Sequence, residues 1–310
     1  MNRPPLVKTL WRLGFLGSLM AAIPLVALVG SDDPAGPRLP SATASKSVAE
    51  WPAADGIGGT HYSALSDITP ENVGDLEVAW VYQTGDVSAN ENGMAGTAFE
   101  ATPVMAEGVL FVSTPYSRVV ALDGETGEEL WTFDPVIDRT DAVHKMVTSR
   151  GVATWHDPSL PEGAPCRRRV FLGTHDARLF ALDSRTGEPC LDFGDLGMVD
   201  LRYGLPRIEG REDDLRQTAP ATVIRDLVVV GSAITDSRDA DAPSGLVRAF
   251  DARTGTLRWG WEPLIRIGGV GDDGDWVPAG AANTWATMVA DEERDLLFVP
   301  TGSASPDHYG

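Results

Sequence analysis

Three copies of one short pattern, Ala-x-Asp-x-x-Thr-Gly, most constrain what this chain can fold into. They are Ala121-Leu-Asp-Gly-Glu-Thr-Gly-Glu-Glu-Leu-Trp131, Ala181-Leu-Asp-Ser-Arg-Thr-Gly-Glu-Pro-Cys-Leu191 and Ala249-Phe-Asp-Ala-Arg-Thr-Gly-Thr-Leu-Arg-Trp259. In each, an apolar strand ends at an acid that can bond the turn backbone. Gly127, Gly187 or Gly255 then supplies the positive φ that closes a bulged hairpin. The repeated acid is therefore first a turn residue. From Asp to Asp the copies lie 60 and 68 residues apart, above the roughly 40–50 residues of common propeller repeats. The expected fold is all-β: a β-propeller of four-stranded blades joined by long loops.

Composition agrees with an ordered β protein. The 43% of hydrophobic residues can furnish a core, and 33 Gly with 22 Pro provide frequent turns. A formal charge of -20 argues against nucleic acid or an anionic membrane surface as partner, because the summed field repels both. Arg3, Lys8 and Arg12 precede the apolar run Leu13 to Gly30. Residues 1–30 therefore read as an export signal, or as an N-terminal membrane anchor if uncleaved. Residues 31–48 read as a Pro-containing linker with an A-x-A site at Ala42-Thr-Ala44, and 49–310 as the folded domain. The two cysteines, Cys166 and Cys190, bracket a hairpin of Arg169 to Gly173 and Arg178 to Asp183. In an oxidising compartment they form a disulfide or stay two separately buried thiols.

From residue 50 onward the pattern becomes specific. It runs Glu50-Trp-Pro-Ala, Gly58-Gly-Thr-His-Tyr-Ser-Ala-Leu65, Ile68-Thr-Pro-Glu-Asn-Val-Gly-Asp-Leu-Glu-Val-Ala-Trp-Val-Tyr82 and Thr84-Gly-Asp86. This resembles the opening of the quinoprotein dehydrogenases that use pyrroloquinoline quinone (PQQ). Phe99-Glu-Ala-Thr-Pro103, the strand Val109 to Ser113 and the first turn motif resemble the sugar and polyol branch, typified by membrane-bound glucose dehydrogenase and its quinate and shikimate relatives.

The resemblance implies a set of site residues, each with an ordinary structural alternative. Glu100 would border the cofactor and orient an arginine, or be a carboxylate at a strand start. Arg150, in Val147-Thr-Ser-Arg-Gly-Val152, matches the arginine that binds the acidic periphery of PQQ. Its fork of donors suits a tricarboxylate, although a surface ion pair is the plainer role. Thr218 and Ser232 match hydroxyl donors, or are simply strand-end residues. Trp285, in Gly280-Ala-Ala-Asn-Thr-Trp-Ala286, matches the tryptophan on which the planar ring stacks, offering a large rigid face; blade packing, expected of Trp131 and Trp259, is its alternative.

For metal, the resemblance implies Ca²⁺ or Mg²⁺ near the loop acids Asp236 and Asp307, since hard cations take oxygen ligands. Two departures point away from the alcohol-oxidising branch. Ser303 stands 18 residues after Trp285 where that branch has an asparagine, and His144-Lys-Met146 replaces its adjacent cysteines. The histidines at 61, 144, 156, 175 and 308 show no metal-binding spacing, leaving His144 and His308 as polar loop residues or substrate contacts. The glycines of Gly56-Ile-Gly-Gly59 and Gly268-Gly-Val-Gly271 do not form a strand-to-helix dinucleotide fingerprint.

Asp291 to Gly302 reads as the opening hairpin of a fourth blade, with Leu296-Leu-Phe-Val299 as a strand. The expectation is about three blades and the start of a fourth, an incomplete part of an eight-bladed propeller. The resemblance puts the general-base aspartate in the other half, so none of these residues is named catalytic. An unclosed ring should expose its terminal blades and associate with a complementary half, and the isolated 310-residue chain, read as a fragment, should be inactive. The implied function is PQQ-dependent oxidation of a sugar or polyol hydroxyl, with electrons passed to ubiquinone, in the periplasm or at the inner membrane. The alternatives are a non-enzymatic propeller scaffold similar to the outer-membrane assembly lipoprotein, and a half-propeller without catalysis.

Overall fold

The turn acids make the bonds their position calls for. In the computed structural model, which describes residues 25–30, 50–86, 96–138, 147–237, 240–264, 268–270, 276–278 and 280–307, Asp123 Oδ1 accepts from the amides of Glu125 and Thr126 at 3.0 and 2.8 Å. Asp183 does the same for Arg185 and Thr186, and Asp251 for Arg253 and Thr254. Gly127, Gly187 and Gly255 follow at φ of 72°, 75° and 68°, each donating its amide to the carbonyl of its turn acid. Three hairpins of one design result.

Around them the chain builds three four-stranded antiparallel sheets, in each of which the sheet's own strands pair in chain order. The first blade is Val104–Ala106, Val109–Ser113, Val119–Asp123 and Glu129–Phe133. The second is Ala153–His156, Arg168–Gly173, Arg178–Asp183 and Met198–Asp200. The third is Thr222–Ile224, Leu227–Val230, Val247–Asp251 and Leu257–Trp261. Val289–Asp291 pairs with Leu296–Phe298 as the start of a fourth. This is the open, partial propeller expected from the repeats.

The core lies between blades, so the middle strands are buried on both faces and their sequences run apolar instead of alternating. Val104, Phe111 and Val119 of the first blade meet Val170, Leu172 and Leu182 of the second. On the second blade's other side, Phe171, Leu179 and Ala181 join Val228, Val230 and Phe250 of the third. Val229, Val247 and Met288 continue the stack into the fourth hairpin. A disulfide joins Cys166 to Cys190, tying the loop before the second blade's second strand to the segment after its turn.

Tryptophan links successive blades. A Cβ added to Gly187 would lie 2.5 Å from Trp131, and one added to Gly127 would lie 2.4 Å from Trp80; these two turn glycines each seat an indole from the preceding part of the chain. Trp131 also donates Nε1 to the Ser184 carbonyl at 3.0 Å. The third copy departs from the expected packing. Trp259 is 37% exposed on an outer strand whose five residues are all exposed, with no turn glycine against it among the described residues.

Before the first blade, Leu76–Tyr82 carries Trp80, and Leu25–Gly30 runs antiparallel beside it. The rest of the apolar N-terminal run and the linker at 31–48 lie outside the described residues, as do His144 and His308. Among the described residues, no helix is long and apolar enough to cross a membrane.

Candidate functional site

Two inner strands run side by side in the parallel sense, Thr97–Thr102 against Val147–Gly151. Parallel neighbours need a long connection, here the entire first blade. Their register shifts between Phe99 and Thr102, so a bulge falls on Glu100 and Ala101. Bulges re-aim side chains, and Glu100 meets Arg150 of the facing strand, with Oε2 to Nη2 at 2.9 Å. Thr148, two residues before Arg150 and so on the same strand face, donates to that carboxylate oxygen at 3.2 Å.

Arg150 then reaches the next blade. Its amide donates to the Thr218 carbonyl at 2.9 Å and its Nη1 to the Thr218 hydroxyl at 2.8 Å. The guanidinium carbon stands 5.1 Å from the centroid of the Trp285 ring, within range of a cation–π contact. Thr218 is buried, whereas Trp285 stays 49% exposed, and the guanidinium and carboxylate are partly open to solvent. Ser232 lies against the other side of the tryptophan segment, its amide donating to the Thr284 carbonyl at 2.9 Å. Its hydroxyl is buried with no hydrogen-bond partner.

Five candidates from the sequence, Glu100, Arg150, Thr218, Ser232 and Trp285, thus meet in one constellation. The two candidate metal ligands are also brought together: Asp307 donates its amide to the Asp236 carbonyl at 3.1 Å, and Ser305 Oγ bonds the same carbonyl at 2.5 Å. No group of three or more His, Cys, Asp or Glu with metal-binding geometry occurs among the described residues.

Sequence reasoning missed Thr148 and Asn283. Strand alternation two residues from Arg150 could have pointed to Thr148. Asn283 gave no signal, because its importance is a contact to Ser232, 51 residues away.

The constellation offers an exposed aromatic face, a forked cation fixed by a carboxylate and a hydroxyl, and a buried hydroxyl in want of a partner. That set suits a flat ligand with an acidic edge, because the indole takes the plane and the guanidinium takes the carboxylates. A separate hollow of about 370 Å³ opens at the turn end of the second blade, lined by Arg167, Arg168, Arg185, Glu107 and Glu162 among others. It shares no residue with the constellation. Its Arg168 is held by Glu50 and Glu107, and Arg167 and Arg185 by backbone carbonyls.

Residues 51–310 match the family model described as PQQ: Glucose/ethanol/alcohol dehydrogenase, beta-propeller domain. The chain belongs to this family. Members similar to it include the glycerol dehydrogenase large subunit of Gluconobacter thailandicus, 36% identical over 252 residues, covering 81% of this chain and 33% of the relative. Quinoprotein glucose dehydrogenase A of Acinetobacter calcoaceticus is 33% identical over 289 residues, covering 88% and 36%. The quinate/shikimate dehydrogenase (quinone) of Acinetobacter baylyi is 33% identical over 321 residues, covering 96% and 38%. Among solved structures, the quinohemoprotein alcohol dehydrogenase from Comamonas testosteroni superposes with a TM-score of 0.62 at 29% identity, covering 83% of this chain and 36% of that one. The chain thus spans about a third of the length of these relatives.

Proposed function

We propose that this chain forms the cofactor-binding part of a PQQ-dependent dehydrogenase that oxidises a sugar or polyol hydroxyl, with ubiquinone as electron acceptor. One observation carries the reading: Glu100, Arg150, Thr218 and Trp285, far apart in sequence, form one bonded group around an exposed indole.

In this reading Trp285 stacks against the plane of the cofactor. Arg150 takes a carboxylate of its edge, held in direction by Glu100 and Thr218, so little side-chain entropy remains to be lost on binding. Ser232 supplies its unpartnered hydroxyl, and Asp236 and Asp307 are the proposed oxygen ligands of Ca²⁺ or Mg²⁺. PQQ, when bound, supplies the two-electron oxidant. No residue of this chain is assigned the general base; the reading gives that role to an aspartate of a complementary propeller half. Residues 1–30 direct the protein to the periplasm or anchor it to the inner membrane.

The test is a titration of the full chain with PQQ and Ca²⁺ or Mg²⁺, following absorbance-corrected tryptophan quenching, with Trp285→Ala as control. Saturable quenching, dependent on metal and lost in the control, is expected. A folded chain without saturable quenching, or with quenching indifferent to Trp285→Ala, overturns the reading.

A further inference from the structure

Behind the exposed indole is a knot of buried polar atoms, of which the cofactor reading uses only the Ser232 hydroxyl. Ser232, Asn283 and Thr284 are 3%, 1% and 0% exposed. The segment 282–285 is sewn to the chain on both sides. Ser232 donates its amide to the Thr284 carbonyl, Gly302 donates to the Asn283 carbonyl at 3.0 Å, and Ala282 to the Ser303 carbonyl at 2.8 Å. The fit is close: a Cβ on Gly231 would lie 2.2 Å from the Thr284 carbonyl oxygen.

Within this knot the Asn283 side chain makes a bond that crosses between segments. Its Nδ2 donates to the Ser232 carbonyl at 3.0 Å. A backbone carbonyl accepts only from the amide nitrogen, so the orientation is fixed and Oδ1 is the atom left unmet. Asn283 Oδ1, Thr284 Oγ1 and the Ser232 hydroxyl are all buried without partners. Buried side-chain oxygens ordinarily have a partner.

We propose that Asn283 is a positioning residue for the site. Its amide fixes the Ser232 carbonyl to the peptide that leads into Trp285, and so sets both the plane of the indole and the place of the Ser232 hydroxyl. Glu100 and Thr218 hold the arginine; Asn283 holds the segment that carries the indole. The ligand half of this inference rests on the proposed PQQ reading. The platform half does not, since Trp285 reports its own surroundings without any ligand.

The experiment uses the full chain with Asn283→Ala and Asn283→Asp, the second keeping the shape while removing the donor. Trp285's share of acrylamide quenching and of near-ultraviolet circular dichroism is isolated by subtracting Trp285→Phe in each background. PQQ binding is titrated in parallel. Both Asn283 variants should change the Trp285 signal in the absence of ligand and weaken PQQ by about tenfold, as for loss of one buried hydrogen bond. Ser232→Ala, which keeps the carbonyl, should weaken PQQ but leave the Trp285 signal as it was. An unchanged Trp285 signal in folded Asn283 variants overturns the proposal. Failure of both variants to fold overturns it too, by making Asn283 a determinant of the fold. If the unsubstituted chain does not bind PQQ, the cofactor reading falls, and the ligand-free Trp285 signal still decides the role of Asn283.

Discussion

Gly187→Ala should destabilise the chain well beyond what its backbone conformation alone requires. Gly187 sits at φ 75°, where an alanine costs about 1 kcal/mol relative to glycine. The new Cβ would also lie 2.5 Å from Trp131 Cε3 and 2.8 Å from Cδ2, against a comfortable carbon separation of about 3.5–4.0 Å. The indole would have to retreat by about 1 Å. It is held in place by its bond to the Ser184 carbonyl and by Phe111, whose ring centroid is 5.8 Å away. Overpacking of that kind adds about 1–3 kcal/mol, for a total of about 2–4 kcal/mol. Gly210 is the control, with φ 72° and no atom within 4 Å of its added Cβ, so Gly210→Ala should cost only about 1 kcal/mol. Urea unfolding followed by far-ultraviolet circular dichroism measures both. In a Trp131→Ala background the excess at Gly187 should vanish, giving a coupling of about 1–3 kcal/mol. Equal costs for Gly187→Ala and Gly210→Ala would refute the view that the turn glycine exists to seat the neighbouring indole.

Three further outcomes are expected. Opening the Cys166–Cys190 bridge, whose cysteines are 24 residues apart, should cost about 3.5 kcal/mol by chain entropy; a Cys166→Ser/Cys190→Ser loss below about 1 kcal/mol would count against that account. At Asp157, burial pushes the carboxyl up, but bonds from Arg253 and Ser159 outweigh it and hold the pKa at about 2, below the usual 3.8. This depressed pKa should give stability of about 2 kcal/mol that is complete above the unfolded pKa and lost as pH falls towards 2. The stability gap between the parent chain and Asp157→Asn should close over that acid range, and a gap constant with pH would contradict the linkage. Arg150→Lys keeps the charge but loses the fork shared by Glu100 and Thr218, so PQQ affinity should fall about tenfold. Titration giving Lys the same affinity as Arg would sink the bidentate role.

The hairpins were legible because everything a turn needs is local. An acid whose side chain bonds amides two and three residues on, and a glycine four residues on with φ above zero, are encoded in seven consecutive positions. The candidate site was legible as a set of residue types in family contexts, but its wiring was not. Glu100 and Arg150 meet through a parallel pairing and a bulge that no local pattern announces. The Arg150–Thr218 bond spans 68 residues, and the contact to Trp285 spans 135.

The sequence by itself determined the blade hairpins and their apolar strands, because backbone chemistry and strand periodicity act over a few residues; the candidate site residues came only from the resemblance to a family. Only the tertiary structure decided that Cys166 and Cys190 bond, that Trp131 is seated while Trp259 stays exposed, and that Asn283 grips Ser232. The bridge depends on how the second blade's own loops close, and the other two outcomes on which blade lies against which. Inter-blade packing sets that arrangement through hydrophobic burial, which is non-directional and leaves no mark on any single stretch of chain.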